Sequence, residues 1–406
     1  MKMRRITAVV LATVLIGAVP VSGPDRPLAL VGGRLVDGSG ASPVLDATVL
    51  VRGDTIVAAG PRSVVRIPAG AEIVDVSGMT VLPGLIDGHV HLGITAFMGD
   101  PTPVSDMLRV ALEHGVTTVV DLGNAHPWIL ELRDSVSRGL ISGPRILAAG
   151  AVITAPGGHP AGTWLKSSAE AAALGTRQVA TPDAAREAVR GLAEAGVDLI
   201  KVVYDGGSER SPFGIIPRLD SSAMAAALEG ARAAGRPAFV HWQQSADLGA
   251  VLAARPDVLV HLSIGPLPPP AIGAIVASGA IVQPTAVAFA GVLPEDVFRR
   301  LYLANVTSLV RGGARLSVGT DAPLSGPLGG GVIRELELLV EAGLTPARAL
   351  GGATALAAAA VGRGDLGRIR PGARADLLVV EGDPTQAIAA LRNVRLVVAA
   401  GRIVVR

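Results

Sequence analysis

The 406-residue chain contains no cysteine, and aromatic residues make up only 2% of it. The absence of cysteine excludes disulfide bonds and thiolate metal sites in any cellular compartment. A bound metal ion must therefore be held by nitrogen and oxygen ligands. Because rings are scarce and hydrophobic residues amount to 50% of the chain, the core must be packed mainly with Ala, Val, Leu and Ile. This composition is that of a globular protein and not of a disordered one.

The chain also has little net charge and few lysines. Its formal net charge is +2, so the chain lacks the large excess of basic residues that would indicate binding to nucleic acid. Of the 36 basic residues, only Lys2, Lys166 and Lys201 are lysine. A lysine in the body of this chain is therefore a feature that needs an explanation, and Lys201 lies in an apolar segment.

The amino-terminal residues 1–23 are typical of a secretory signal peptide. Lys2, Arg4 and Arg5 precede an apolar run from Ile6 to Val21, and small residues follow where a signal peptidase could cleave. The run is short for a membrane span, and an uncleaved membrane anchor is the alternative. We therefore expect an exported protein, periplasmic or extracellular in a bacterium, with no membrane association beyond the export signal.

The terminal segments and the central segment differ in pattern. Short apolar runs punctuated by Gly, Asp and Pro indicate antiparallel hairpins in residues 27–83 and again in residues 363–406. Neither segment has enough strands for a sheet with a good core, so we predict one small composite β-sandwich domain built from both.

The central segment, residues 84–362, alternates apolar strand-like runs with Ala-rich helical stretches, which open at signals such as Thr181-Pro182 and Thr345-Pro346. The eight predicted strands are LIDGHVHL, TTVVDLG, RILAAGAVIT, VDLIKVVYD, PAFVHW, DVLVHLS, AIVQPT and LSVGTDA. Eight such repeats predict an α/β fold, a (β/α)8 TIM barrel, with a doubly wound open sheet as the alternative.

Polar donors stand at the carboxyl ends of five of the predicted strands, where barrel enzymes carry their active sites. His89 and His91 have the i, i+2 spacing of a strand, so both imidazoles point to one face. The other strand ends supply Lys201, Tyr204, His241, His261 and Asp321. The chain has only 7 histidines, and four of them fall at these positions. This concentration favours a metal centre over scattered core histidines.

Lys201 lies within an apolar strand, where an unpaired ammonium group is costly. The residues alone leave three explanations open. The lysine pairs with a carboxylate such as Asp205 or Asp121, or it forms a Schiff base with a carbonyl substrate. In the third explanation, its amine takes up carbon dioxide to form a carbamate, an anion that can bridge two metal ions. The histidines favour the carbamate, because a Schiff-base site has no need of them.

Six motifs stand in order along the chain after the signal segment: PGLIDGHVHL, LIKVVYDGG, VLVHLS, SVGTDAP, VEAGLTPARALGGAT and GRIRPGARADLLVVEGDP. In this order they resemble the amidohydrolase superfamily, in the branch of imidazolonepropionases and of Xaa-Pro dipeptidase-like peptidases with a carboxylated lysine. The resemblance implies two divalent metal ions, expected to be zinc, although manganese, cobalt or iron suit the same ligands. For the first ion, the implied ligands are His89, His91 and Asp321. For the second ion, they are His241 and His261. N6-carboxylated Lys201 is the implied bridge between the two ions.

The resemblance also implies a reaction. A hydroxide bridging the two ions would attack the carbonyl carbon of an amide, while Asp321 would take its proton and pass it to the leaving amine. Tyr204 would contact the substrate, as would His159 in a glycine-rich loop after the third strand. The expected activity is hydrolysis of a C–N bond in a small-molecule substrate, a dipeptide or an N-acyl amino acid.

Two other functions stay open. One is hydrolysis of a cyclic amide, as in imidazolonepropionases, although an exported enzyme would be separated from that cytoplasmic pathway. The other is a catalytically silent binding barrel, which the retention of all six ligand positions disfavours. Relatives often carry His-Ala-His at strand five, where this chain has His241, Trp242 and Gln243, so the resemblance does not define the substrate. Assembly into a homo-oligomer is also left open.

Overall fold

The computed structural model describes residues 26–93, 102–209, 213–323, 326 and 328–406. The predicted signal peptide, residues 1–23, lies outside the described residues. The described strands are, in chain order, β1 (Leu28–Leu35), β2 (Val44–Arg52), β3 (Thr55–Pro61), β4 (Glu72–Asp75), β5 (Met79–Pro83), β6 (Leu85–Val90), β7 (Val116–Asp121), β8 (Arg145–Ala148), β9 (Val152–Thr154), β10 (Thr176–Gln178), β11 (Ile200–Val203), β12 (Ala238–His241), β13 (Val258–Val260), β14 (Ile281–Gln283), β15 (Arg315–Leu316), β16 (Leu377–Glu381), β17 (Val394–Ala399) and β18 (Arg402–Val405).

Helices cover the strands of the central segment. The α-helices span Val104–Glu113, Trp128–Ser137, Ala169–Gly175, Pro182–Glu194, Ser221–Ala233, Leu248–Ala253, Pro269–Ser278, Ala286–Val292, Glu295–Val297, Ala304–Gly312, Gly330–Glu341, Pro346–Gly352 and Ala355–Ala360. Short 3-10 helices span Ser245–Asp247 and Ile388–Arg392, and a π-helix spans Phe298–Leu303. Among the described helices, none is both long and apolar enough to cross a membrane.

The β-rich sheet takes strands from both ends of the chain. Its eight strands follow the order β18-β17-β16-β5-β1-β2-β3, with β4 beside β1. The two ends meet where β16 runs antiparallel to β5 and places Leu378 opposite Leu82. Because β5 also pairs with β1, hydrogen bonds connect strands from both ends of the chain into one sheet.

The central strands are parallel, which confirms the predicted α/β character. Strands β6 to β8 form one parallel sheet, and the other parallel sheet follows the order β10-β9-β11-β12-β13-β14-β15. Backbone hydrogen bonds link the two sheets at both edges, from Asp198 N to Ala148 O at 2.9 Å and from Gly88 N to Val318 O at 3.1 Å. The predicted third strand is split into β8 and β9, because Gly150 between them has φ +67°.

Two helices show how local sequence sets the boundaries. The Thr181 side chain accepts a hydrogen bond from Ala184 N and Pro182 follows, so the helix Pro182–Glu194 starts at the predicted signal. The Thr345 side chain caps the helix Pro346–Gly352 in the same way. The helical pattern beyond it is interrupted near Ala353, whose carbonyl oxygen accepts a hydrogen bond from Ile86 N at 2.8 Å.

Candidate metal centre and active site

The six predicted metal ligands line one cavity of about 1320 Å³. They are His89, His91, Lys201, His241, His261 and Asp321. They lie in the parallel strands or just after them, and the carboxyl ends of such strands meet at one edge of the sheet. Side chains that are up to 232 residues apart in the sequence (positions 89 and 321) therefore become neighbours, and their role as ligands rests on the distances between them.

His89, His91 and Asp321 form a tight triangle of donor atoms. The Nε2 atoms of His89 and His91 are 3.1 Å apart, and each lies 3.2 Å from Asp321 Oδ1. Backbone hydrogen bonding aligns the two chain segments, because Asp321 N donates to His89 O at 2.8 Å. Gly319 permits this approach, since a Cβ there would lie 2.7 Å from the Cβ of His89. Three donors that converge on one point are the arrangement that a divalent cation requires.

Hydrogen bonds set the tautomers of two histidines. His91 Nδ1 lies 2.9 Å from Gly123 O, a pure acceptor, so Nδ1 carries the proton. His261 Nδ1 lies 2.6 Å from Thr285 Oγ1, whose own proton goes to Pro284 O at 2.7 Å. In the neutral form of each ring, the Nε2 atom therefore keeps its lone pair. Such outer partners are typical of metal-bound histidines.

Backbone strain accompanies these contacts. His261, Thr285 and Asp321 have φ values of +67°, +49° and +62°, in the left-handed region that residues with a Cβ rarely adopt. Each such conformation costs on the order of 1–3 kcal/mol and persists where the surrounding structure imposes it, often at functional sites. The strain at three neighbouring residues marks this end of the parallel strands as the functional one.

His241 lies beside His261, with 4.6 Å between the ring centroids. Its Nε2 atom is 3.5 Å from Oδ2 of Asp205, a residue that sequence reasoning weighed only as a partner of Lys201. Burial acts to raise the pKa of Asp205, but the hydrogen bond and charge of His241 outweigh it and hold that pKa below its usual value. The signal was available in the sequence, because Asp205 follows Lys201 at i+4 on the same face of a strand.

Lys201 is 3% exposed, and its Nζ atom has no hydrogen-bond partner among the described residues. The proposed carboxylate partners are engaged elsewhere. Asp205 faces His241, and Asp121 accepts hydrogen bonds from Leu92 N at 2.7 Å and Gly123 N at 3.1 Å. Burial lowers the pKa of the Lys201 amine to about 7, so a neutral amine is accessible near physiological pH. The neutral amine is the form that can add carbon dioxide. The ion-pair explanation is not supported, because neither Asp205 nor Asp121 contacts the Lys201 amine.

The charge states of three donors, His89, His261 and Asp321, suit a cation. Burial lowers the pKa of His89 and of His261 well below the ordinary histidine value, so both rings are neutral. Burial acts to raise the pKa of Asp321, but His89 and His91 outweigh it and hold that pKa well below its usual range. One atom each from His89, His261 and Asp321 lies within 4.8 Å of the others, a group that could hold a metal ion. Neutral imidazoles, an ionised carboxylate and an orphaned buried amine fit a metal centre of nitrogen and oxygen ligands.

His159 lines the cavity as predicted for a substrate contact. Its ring centroid is 5.0 Å from that of His241, and its Nδ1 atom is 2.8 Å from Thr163 Oγ1. Burial lowers the pKa of His159 to about 3, so the ring is neutral. One ring nitrogen thus remains for a substrate atom.

Tyr204 does not lie where it was predicted. Lys201, Val203 and Asp205 line the cavity, whereas Tyr204 alternates to the opposite face of the strand and packs in the hydrophobic core. The guanidinium carbon of Arg218 lies 5.0 Å from the centre of its ring. The prediction of a substrate contact at Tyr204 is therefore wrong, because an i+3 spacing from Lys201 on a strand changes the face.

Sequence reasoning also missed Asp87, which is fully buried below the histidines. Its Oδ1 atom accepts from Thr320 N at 3.0 Å, and its Oδ2 atom accepts from Thr320 Oγ1 at 2.6 Å. These bonds tie β6 to the segment that carries Asp321. The spacing Asp87, His89, His91 along one strand face was the signal that could have revealed it.

Comparison with known proteins gives a consistent assignment. The sequence profile of the amidohydrolase family matches residues 80–404. An imidazolonepropionase from Cereibacter sphaeroides (strain KD131) is 29% identical over 383 residues, which cover 86% of this chain and 91% of that protein. An enamidase from Eubacterium barkeri is 39% identical over 98 residues, which cover 23% of this chain and 24% of that protein.

Solved structures agree with this assignment. A putative prolidase from Bifidobacterium longum superposes with a TM-score of 0.79 at 29% identity, covering 95% of this chain and 96% of that one. The resemblance predicted from the six sequence motifs is thereby confirmed. The profile match spans most of the chain and includes the donor triangle of His89, His91 and Asp321. The protein therefore belongs to the amidohydrolase family and is a hydrolase acting on carbon–nitrogen bonds.

Proposed function

We propose that this protein is a metal-dependent amidohydrolase that cleaves the amide bond of a dipeptide or an N-acyl amino acid. The observation that carries the proposal is the convergence of His89, His91 and Asp321 within 3.2 Å of one another, beside the buried and unpartnered amine of Lys201. A hydrophobic core offers no reason to assemble these groups, whereas a pair of divalent cations does.

The ligand assignment is the one that the family resemblance implies, and the closeness of the donors supports it. His89, His91 and Asp321 would hold one ion. His241 and His261 would hold the other, and Lys201, carboxylated on Nζ, would bridge the two. Zinc is the expected metal. When bound, the ions supply a hydroxide nucleophile near neutral pH and polarise the carbonyl group under attack.

The side chains of the protein supply the proton transfer and the orientation. Asp321 is ionised at neutral pH, so it can accept a proton from the attacking nucleophile and deliver it to the leaving nitrogen. His159, neutral and on the cavity wall, would hydrogen-bond the substrate beside the reacting bond. Asp205, which also lines the cavity, lies 3.5 Å from His241 Nε2 and would orient that ring.

The proposal includes a closed (β/α)8 barrel over residues 84–362. It is supported by the hydrogen bonds at both edges of the parallel sheets and by the parallel bridge between Val90 and Ala322. The composite β domain of residues 27–83 and 363–406 would flank it. We also propose export to the periplasm or the cell exterior, on the basis of residues 1–23.

Cyclic-amide hydrolysis is the second candidate, favoured by the similarity to imidazolonepropionase over 86% of the chain. A silent binding barrel is disfavoured, because all six donors remain on the cavity wall. The charged residues of the cavity wall also bear on which charged groups a substrate can carry. Among the described residues on the cavity wall, Lys201 is the one lysine or arginine, and Asp205, Glu209 and Asp321 are acidic. An assay must therefore include uncharged substrates.

The test is to purify the protein with zinc and bicarbonate, measure bound metal by mass spectrometry, and assay three substrate sets. These are dipeptides and N-acyl amino acids, their carboxamides, and imidazolonepropionate. We expect about two ions per chain and turnover of the first or second set. Turnover of imidazolonepropionate alone would establish the second candidate. Less than about one ion per chain, together with no hydrolysis, would overturn the proposal.

A further inference from the structure

The chain places its scarce aromatic residues at the cavity. It has only 3 Trp, 2 Tyr and 5 Phe residues, yet Trp164, Phe213 and Phe289 all stand on the cavity wall. Trp164 is 38% exposed, whereas Trp242 is fully buried. A large ring left partly in water loses much of the stabilisation that burial would provide. Core packing therefore does not explain the position of Trp164.

The three rings come from separate segments that follow parallel strands. Trp164 lies between β9 and the helix Ala169–Gly175, Phe213 lies between β11 and the helix Ser221–Ala233, and Phe289 lies in the helix after β14. In barrel enzymes, the loops that follow the strands form the walls of the active site and so select the substrate. The convergence of rings from three loops is thus a property of the cavity and not of one local sequence.

Two contacts define how the rings are arranged. The Trp164 and Phe213 rings are edge-to-face, with centroids 5.1 Å apart and planes at 73°. The Phe289 ring lies 5.6 Å from the His261 ring at 70°. The cavity therefore has aromatic rings at two places on its wall: Phe289 beside the proposed ligand His261, and the pair formed by Trp164 and Phe213. Aliphatic side chains continue this wall, among them Leu165 and Ile216.

We propose that Trp164 and Phe213 bind an aromatic or bulky apolar group of the substrate and so select such substrates over small ones. This inference rests on the proposed function, since it names the substituent carried by the hydrolysed amide. A third ring adds to an edge-to-face pair with favourable geometry, and its burial removes apolar surface from water on both sides. The substrate class is thus an N-acyl amino acid or dipeptide with a ring or a large branched group on one side of the scissile bond.

Matched substrates test this selection in the zinc-loaded enzyme. N-benzoyl-alanine and N-acetyl-phenylalanine carry a ring on the acyl side and on the amine side, and N-acetyl-alanine carries none. We expect Trp164→Ala to raise KM by about 10- to 100-fold for one of the ring-bearing substrates. KM for N-acetyl-alanine should change little, as should kcat for that ring-bearing substrate and for N-acetyl-alanine. Trp164→Phe should restore most of the affinity.

A matched control is available in the chain. Trp128 is 36% exposed, a fraction similar to the 38% of Trp164, but it is not among the described residues on the cavity wall. Trp128→Ala should leave the preference for ring-bearing substrates unchanged, and bound zinc should be equal in all variants. An equal loss for all three substrates in Trp164→Ala, or no loss, would overturn the inference while leaving the proposed hydrolysis intact.

A binding measurement separates the inference from the proposed function. The zinc-loaded wild type and the Trp164→Ala variant are titrated by calorimetry with N-benzoyl-alanine, its carboxamide and N-acetyl-phenylalanine, and with N-acetyl-alanine as the reference, whether or not they are hydrolysed. Binding of a ring-bearing compound that weakens about tenfold or more in Trp164→Ala supports the inference even if no turnover occurs. If none of these compounds binds the wild type more tightly than N-acetyl-alanine, the inference fails.

Discussion

The Nδ1 atom of His261 lies 2.6 Å from the Oγ1 atom of Thr285, although the two residues are 24 positions apart in the sequence. The Thr285 hydroxyl donates to Pro284 O, so the imidazole is the donor in the contact and its Nε2 atom stays unprotonated. Thr285 holds this position with φ +49°, an unfavourable conformation for a β-branched residue. The hydrogen bond thus orients a histidine of the proposed metal centre from outside the cavity.

Replacement of Thr285 by valine should therefore weaken metal binding. Thr285→Val keeps the shape and the backbone strain but removes the acceptor, and losses of such outer partners typically cost about 10- to 100-fold in metal affinity. Thr285→Ser keeps the hydroxyl and should bind zinc as the wild type does. Competition with a chelating dye measures both affinities, and equal zinc affinity in the valine variant would contradict the orienting role.

Lys201→Ala should lose the proposed bridge between the two proposed metal positions. We expect bound zinc to fall to about one ion per chain or less, and kcat/KM to fall by at least about 100-fold, because no other described group can take the place of the proposed carbamate. Lys166→Ala is the control, since Lys166 is exposed. Metal analysis with and without bicarbonate checks this prediction. Full metal content and activity in Lys201→Ala would show that the lysine has no such role.

Gly88→Ala should destabilise the fold below the donor triangle. A Cβ atom at Gly88 would lie 2.2 Å from Gln283 Nε2 and 2.6 Å from the backbone oxygen of Val318, so neighbouring strands would have to move. We expect a loss of about 1–3 kcal/mol in the free energy of unfolding. In contrast, Gly191→Ala, exposed in the helix Pro182–Glu194 with no atom within 4 Å, should gain up to about 1 kcal/mol. Urea unfolding of the metal-free proteins compares them, and equal stability of the two variants would contradict the prediction.

Glu335 should make stability depend on pH. It is fully buried, and its oxygens accept hydrogen bonds from Ala286 N at 3.0 Å and Val287 N at 2.7 Å. Burial raises the pKa of Glu335 from 4.5 to about 8. Between these values the folded state keeps a proton that the unfolded state has released. The free energy of unfolding should therefore fall as pH rises from about 5 to 8, by an amount on the order of a few kcal/mol.

The Glu335→Gln variant isolates this contribution. It cannot ionise, so its free energy of unfolding should change less between pH 5 and pH 8 than that of the wild type, whatever its absolute stability. Glu341→Gln, on the same helix, replaces a more exposed carboxylate and serves as the control. Urea unfolding at four pH values gives the slopes. The same slope in wild type and Glu335→Gln would show that Glu335 does not titrate in this range.

Much of the candidate site could be predicted because it depends on two regularities of strands. Residues at i and i+2 share a face, as His89 and His91 do, and the ends of parallel strands meet at one edge. These rules placed His241, His261 and Asp321 at one cavity without knowledge of any contact. Where a rule was misapplied, as at Tyr204, the alternation of the strand itself shows why the prediction was wrong.

The contacts around the donors were not predictable, because they join segments that are distant in the sequence. No local pattern indicates that Thr285 reaches His261, or that Asp205 turns to His241 and leaves Lys201 without a partner. The sequence by itself determined which donor types stand at which strand ends, since spacing and strand period depend only on local order. Only the tertiary structure decided which ring nitrogen faces the cavity and which rings line it, because hydrogen-bond partners and burial arise from packing between distant segments.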